Sequence, residues 1–193
     1  PISEIDTAEK YNISRTPVRD AFKRLEREGL LEIRPHIGTF ISLIDLNAVS
    51  DVLYTREVLE YAVLSDLSKI YDKSQDLRIR LLLQQQKALL ESDMDIQELS
   101  RAFIKLDNEF HAALFEAAGK NNIINILSAI NCQYERFRTF INYNGRDDIQ
   151  KLYESHIHIW ELVTAGDLAA LKDSLNHHLY DGFSSSSHIV SKF

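Results

Sequence analysis

The chain has 193 residues, 45% of them apolar and 26% charged, with a net charge of −7. That length allows one or two domains, and the balance is ordinary for a soluble globular protein. No apolar run approaches the roughly 18 residues of a membrane span, so neither a transmembrane helix nor a membrane partner is expected.

The single cysteine, Cys132, excludes an internal disulfide and fits a reducing, cytoplasmic setting. The chain opens on Pro1 with no basic-then-apolar leader, so it reads as a fragment or processed form. Pro1, Pro17 and Pro35 all fall early, which leaves the rest free to be helix. Charge is uneven: residues 1–42 hold seven basic and seven acidic residues, and residues 43–193 hold 15 and 22. Affinity for a polyanion must therefore come from the first segment.

Residues 2–11, ISEIDTAEKY, read as a short amphipathic helix closed by a turn at Asn12-Ile13. Ser14 is placed to cap the next helix through its hydroxyl, and Pro17 fits the first turn. Val18, Ala21, Phe22 and Leu25 form its apolar stripe, and Gly29 ends it. LLEIR and TFIS read as strands joined by a turn at PHIG. Helix, turn, helix and hairpin is the pattern of a winged helix-turn-helix. From residue 46 onward helices are expected near 46–70, 74–92, 95–118, 121–143, 147–165 and 167–184, with a polar tail too irregular to assign. The expected fold is mainly α, a partial winged helix-turn-helix (1–43) followed by an all-α antiparallel bundle of about six helices (46–193).

Arg15 and Arg19 share one face of the second helix and crowd its first turn with Ser14 and Thr16. That turn is the part of a recognition helix that enters the major groove of double-stranded DNA, where arginine grips guanine with paired donors. Lys23, Arg24 and Arg27 are placed for phosphates, and the hairpin tip His36-Ile37-Gly38 for an adjacent minor groove. The plainer alternative is a solvated charged face. The stretch SRTPVRDAFKRLEREGLL followed by PHIGTFI resembles the DNA-binding domain of the GntR family of bacterial transcription regulators. The resemblance implies that Arg15, Thr16 and Arg19 read or clamp an operator and that Gly38 lies near the minor groove. It also implies a further helix ahead of Ile2, so the domain is expected to be incomplete in this chain. Dimerisation on a palindromic operator follows from the family and from helix-turn-helix geometry.

In the second segment, helical periodicity places Asp107 and His111 on one inward face, at i and i+4. It selects His156 over His158 and His178 over His177. A buried carboxylate is costly unless paired or metal-bound, and this donor set suits Zn²⁺, Ni²⁺ or Mn²⁺. Each histidine taken singly is more simply a core or surface residue. The stretches LDNEFHAALFEAAGK and HIHIWELVTAGDLAALKDSLNHHL resemble the FCD effector domain of the FadR subfamily. In that subfamily's metal-binding members the positions of Asp107, His111, His156 and His178 are the ligands. An octahedral ion would keep room for a small carboxylate effector, with Arg56 or Arg138 as its counter-charge. Arg56 equally suits an ion pair with Glu60.

Two other readings compete with sensing. A metalloenzyme would need a general base beside the ion, and Glu109 and Glu116 lie on other faces while Glu60 is unassigned. A purely structural metal would simply hold three helices together.

Overall fold

The computed structural model describes residues 1–73, 76–141 and 145–190, with side chains to residue 184. Nine helices and two strands are present among the described residues. They form two compact units that divide between Asp45 and Leu46.

The first unit is built from α1 (Glu4–Tyr11), α2 (Arg15–Arg27), β1 (Leu31–Arg34) and β2 (Gly38–Ile41). Helix α1 starts two residues later than the periodicity suggests, because Ser3 takes the cap. Its Oγ accepts from the amides of Ile5 and Asp6 at 3.2 and 3.3 Å. Ile2 is thereby left extended, and its amide donates to the Thr39 carbonyl at 2.8 Å beside the hairpin. Asn12 closes α1 in the left-handed conformation, with φ 52°. Ser14 does have the extended backbone of a cap, but its hydroxyl makes no capping hydrogen bond. Val18 and Phe22 are buried with Ala8 and Leu31, while Ile2 and Leu25 pack beside them. Ala21 is exposed, so the buried face of α2 is narrower than its apolar stripe. The antiparallel hairpin pairs Leu31 with Ile41 and Arg34 with Gly38. Its tip needs positive φ at His36 (63°) and Gly38 (145°), and glycine meets the second at no steric cost.

The second unit is all helix: α3 (Leu46–Ile70), α4 (Leu77–Leu90), α5 (Ile96–Ala117), α6 (Asn121–Ile130), α7 (Cys132–Ile141), α8 (Arg146–Ala165) and α9 (Leu168–Val190). Helix α3 runs through the middle and packs against α5, α6, α7, α8 and α9, while α4 covers α5 and α8. Val49, Leu53, Leu67, Phe103, Phe110, Ile149, Val163, Leu171 and Leu175 are among its fully buried side chains.

Three boundaries differ from the sequence expectation. The single helix expected over 121–143 is two helices, broken at Asn131. The Asn131 side chain there donates to Glu135 at 2.9 Å, and its carbonyl takes the Glu135 amide at the same distance. Both bonds span four residues as helical contacts do, so they start α7 and do not themselves explain the break. Helix α9 runs past residue 184 to Val190, since neither proline nor glycine follows Gly182 to stop it. Helix α4 begins at Leu77, and Ser74 and Gln75, within the break expected before it, lie outside the described residues. So do Asn142, Tyr143 and Asn144 before α8.

Candidate metal centre and DNA-reading helix

The proposed recognition surface of the first unit is exposed throughout. Ser14, Arg15, Thr16, Arg19, Lys23, Arg24, His36 and Gly38 all face solvent. Arg15 and Arg19 approach the same carboxylate oxygen of Glu4, at 4.0 and 3.5 Å. Such exposed pairs hold little energy and are easily exchanged for another anion. Arg24 pairs with Glu28 at 2.8 Å, one turn on.

In the second unit α5 supplies Asp107 and His111, α8 supplies His156 and α9 supplies His178. One potential ligand atom from each lies within 4.8 Å of all the others. An ion held at ~2.1 Å spaces its ligand atoms roughly 3–4 Å apart, so the cluster stands close to that geometry. The Nε2 atoms of His111 and His178 are 3.2 Å apart, and His156 Nε2 lies 3.2 Å from Asp107 Oδ1. His156 is 0% exposed and sits against Phe110, ring centroids 4.5 Å apart. Its Nε2 is buried and makes no well-aligned hydrogen bond, with the Asp107 carboxylate its close neighbour. His158 and His177, the rejected members of each pair, are exposed.

Three further helices reach the cluster. Arg138 of α7 pairs with Asp107 Oδ2 and donates to Asn108 Oδ1 at 2.8 Å. On α3, Arg56 donates to Glu60 Oε1 at 2.7 Å, and Glu60 Oε2 lies 2.9 Å from His111 Nδ1. From α4, Gln86 Oε1 lies 2.8 Å from His156 Nδ1. Glu60 and Gln86 are thus site residues that the sequence left unassigned. A second carboxylate does lie beside the cluster, but Arg56 and His111 engage both its oxygens, so it is not a free base.

Burial raises the carboxyls of Asp107 and Glu60. Arg138 together with His156 and His111 outweighs it for Asp107, and Arg56 with His111 outweighs it for Glu60, so both stay below the ordinary carboxylate range. Burial pushes His156 below the ordinary imidazole value, against the pull of Asp107. It pushes His178 well below, reinforced by its neighbours His156 and His111.

These directions fix a pH dependence. An unfolded chain protonates its histidines near ~6.5, whereas the folded chain holds these two neutral to lower pH. The folded state therefore binds fewer protons in that window, and stability of metal-free protein falls as pH drops below about 6.5, by up to ~1.4 kcal/mol per pH unit per histidine. The contribution of Asp107 is present above its unfolded value near ~3.9 and is lost only at still lower pH, through its depressed folded value. Urea midpoints of metal-stripped protein between pH 8 and 5 measure this, and a flat profile contradicts it.

A cavity of about 1230 Å³ opens beside the cluster between α7, α8 and α9, with Asp107, Arg138, Ser155 and His178 in its wall. Arg138 faces it. Arg56 lines instead a smaller cavity of about 330 Å³ with Asn108, His111 and Glu135.

Comparison with known proteins gives a consistent picture. Residues 51–181 match the FCD domain, and residues 1–41 match the bacterial regulatory proteins of the gntR family. An uncharacterized HTH-type transcriptional regulator from Streptomyces ambofaciens is 30% identical over 180 residues, 92% of this chain and 72% of that protein. The HTH-type transcriptional repressor RspR of Escherichia coli is 25% identical over 94% of this chain and 77% of its own length. Among solved structures, E. coli McbR/YncC superposes with a TM-score of 0.65 at 16% identity, covering 99% of this chain and 86% of that one, which supports the fold.

Proposed function

The chain belongs to the GntR family of bacterial regulatory proteins, carries an FCD domain and is a DNA-binding transcriptional regulator; from that premise we propose that Asp107, His111, His156 and His178 hold a divalent transition metal at which a small carboxylate effector is sensed. Residues 1–43 read a palindromic operator, through Arg15, Thr16 and Arg19 with Ser14, Lys23, Arg24, His36 and Gly38 around them. Residues 46–193 carry the metal, the effector pocket and the homodimer contact. The protein works in the cytoplasm, where its DNA is.

The convergence of four buried or half-buried donors within 4.8 Å of one another, from three helices, is the observation that carries the metal reading. Nitrogen and carboxylate donors suit Zn²⁺, Ni²⁺ or Mn²⁺. When bound, such an ion offers open positions to an oxygen ligand. The large cavity beside Asp107 and His178 favours sensing over a purely structural ion, because a structural site needs no such access. Arg138 lines that cavity, so an entering carboxylate offers its guanidinium an anionic partner besides Asp107 and Glu135. A change at α7 and α5 then biases the relative placement of the two DNA-reading units of a dimer.

The test is an anisotropy titration of full-length protein on a duplex selected from a random pool. It is run with Zn²⁺, Ni²⁺ or Mn²⁺ and a panel of mono-, di- and hydroxycarboxylates. At least one acid is expected to change operator affinity by roughly 5–150-fold, in a metal-dependent way. Affinity indifferent to every acid and to metal removal refutes sensing.

A further inference from the structure

Imidazole binds a metal only through a nitrogen that lacks a proton, and which nitrogen that is depends on what the other one meets. We propose that Glu60, Gln86 and Ser155 form a tautomer lock that forces all three cluster histidines to carry their proton on Nδ1 and to turn a bare Nε2 inward. This rests on the metal reading for its purpose, though not for its geometry.

Each histidine is fixed by a separate chain of contacts. Glu60 Oε2 is 2.9 Å from His111 Nδ1; the two atoms are out of line for a full hydrogen bond as they stand, and neither makes one elsewhere. A carboxylate only accepts, so the proton is on Nδ1. Arg56 fixes this carboxylate from behind, through Nε to Oε1 at 2.7 Å.

Gln86 is 0% exposed, and its amide orientation is set by its own partner. Its Nε2 donates to the Leu106 carbonyl at 3.3 Å, which leaves Oε1 toward His156 Nδ1 at 2.8 Å. An amide oxygen also only accepts, so His156 donates from Nδ1, the shorter contact, and its Nε2 then faces Asp107 Oδ1 at 3.2 Å without a proton between them.

Ser155 has one proton to give, and it goes to the Leu152 carbonyl at 2.6 Å. Its oxygen is then left to accept from His178 Nδ1 at 2.7 Å. A carboxylate on α3, an amide on α4 and a hydroxyl on α8 thus impose one tautomer on three rings.

The lock has a consequence at the centre. His111 Nε2 and His178 Nε2 are 3.2 Å apart, a distance that would suit a hydrogen bond if either held a proton there. With both protons held on Nδ1, two lone pairs face each other, and a cation between them relieves the repulsion. The outer contacts therefore raise affinity for a metal without touching it. They also give Arg56 a role as the support of Glu60.

Long-range ¹H–¹⁵N spectra of metal-stripped full chain, at a pH where the rings are neutral, read the tautomers directly. His111, His156 and His178 are expected as Nδ1–H, with exposed His158 and His177 as internal controls. Zn²⁺ affinity by chelator competition is expected to fall roughly 10–100-fold in Gln86→Leu and in Ser155→Ala. Ser155→Thr keeps the hydroxyl and is expected to keep the affinity. Gln86→Leu is further expected to release His156 to a mixture of tautomers. An Nε2–H ring among the three in the wild type overturns the lock, as does unchanged Zn²⁺ affinity in both loss variants. Three Nδ1–H rings in a protein that binds none of the metals would leave the lock standing and refute the metal reading alone.

Discussion

Replacing Asp107 by alanine abolishes tight divalent-metal binding and lowers the folding free energy of the metal-free protein by about 3–5 kcal/mol. Two separate effects meet at this residue. Asp107 is a proposed ligand, and its other oxygen pairs with Arg138. Both side chains are buried, at 2% and 5% exposure, so without Asp107 the guanidinium keeps only Asn108 at 2.8 Å, the more distant Glu135 at 3.4 Å and what the cavity admits. Arginine does not shed its proton, and Arg138 is held even more firmly charged by Asp107 despite its burial. Removing the carboxylate takes the closest counter-charge from a buried cation. The double variant Asp107→Ala/Arg138→Met removes that penalty, so it regains much of the stability but none of the metal affinity. Urea melts of stripped protein and chelator competition separate the two. A single variant that loses under about 1 kcal/mol and still binds metal tightly refutes both halves of the account.

The part of this site legible in the sequence is the part that lies on single helices. A 3.6-residue period settles which of two adjacent histidines faces inward, and so His156 is separable from His158 and His178 from His177. What stayed hidden is what the helices do to one another. Gln86 meets His156 across 70 residues, and the partnership of Ser155 with His178 spans 23. Neither residue type carries a periodic signal. Glu60 is a different case, since periodicity places it on the inward stripe of α3 with Leu53, Arg56 and Val63, but a spacing of four from Arg56 reads as a pair between those two and gives no sign of His111. Its burial comes from α5 and α7 closing over α3, which no local pattern encodes.

The same distinction governs the fold. Long helices with clear stripes were legible to within a few residues, whereas short-range competition was not. The break at Asn131 has no proline or glycine beside it to announce it. Ser3 and Ser14 illustrate this at the helix starts. Both are good caps by type, yet only Ser3 accepts backbone amides, and the Ser14 hydroxyl is left exposed beside Arg15. The sequence specifies the capping position, while the rotamer is decided by whatever else the side chain meets.

Arginine and lysine variants on α2 are expected to fail in different ways. Arg19→Ala weakens binding to a selected operator by about 1–3 kcal/mol, roughly 5–150-fold, and relaxes discrimination at one base pair in each half-site. Lys23→Ala weakens binding to all sequences about equally and reduces the salt dependence by about one counterion. The difference follows from position. Arg19 lies one turn into α2, four residues from Arg15, on the face that leads into a groove. Lys23 lies a further turn back, where a helix end tilted into the groove meets phosphates rather than bases. In the free chain Arg15 and Arg19 share Glu4 at 4.0 and 3.5 Å, exposed pairs that cost little to give up. Anisotropy on a set of single-base operator variants, repeated across salt concentrations, distinguishes the two residues. A uniform loss from Arg19→Ala, with base preference intact, would reassign it to the backbone and leave sequence reading to Arg15 and Thr16.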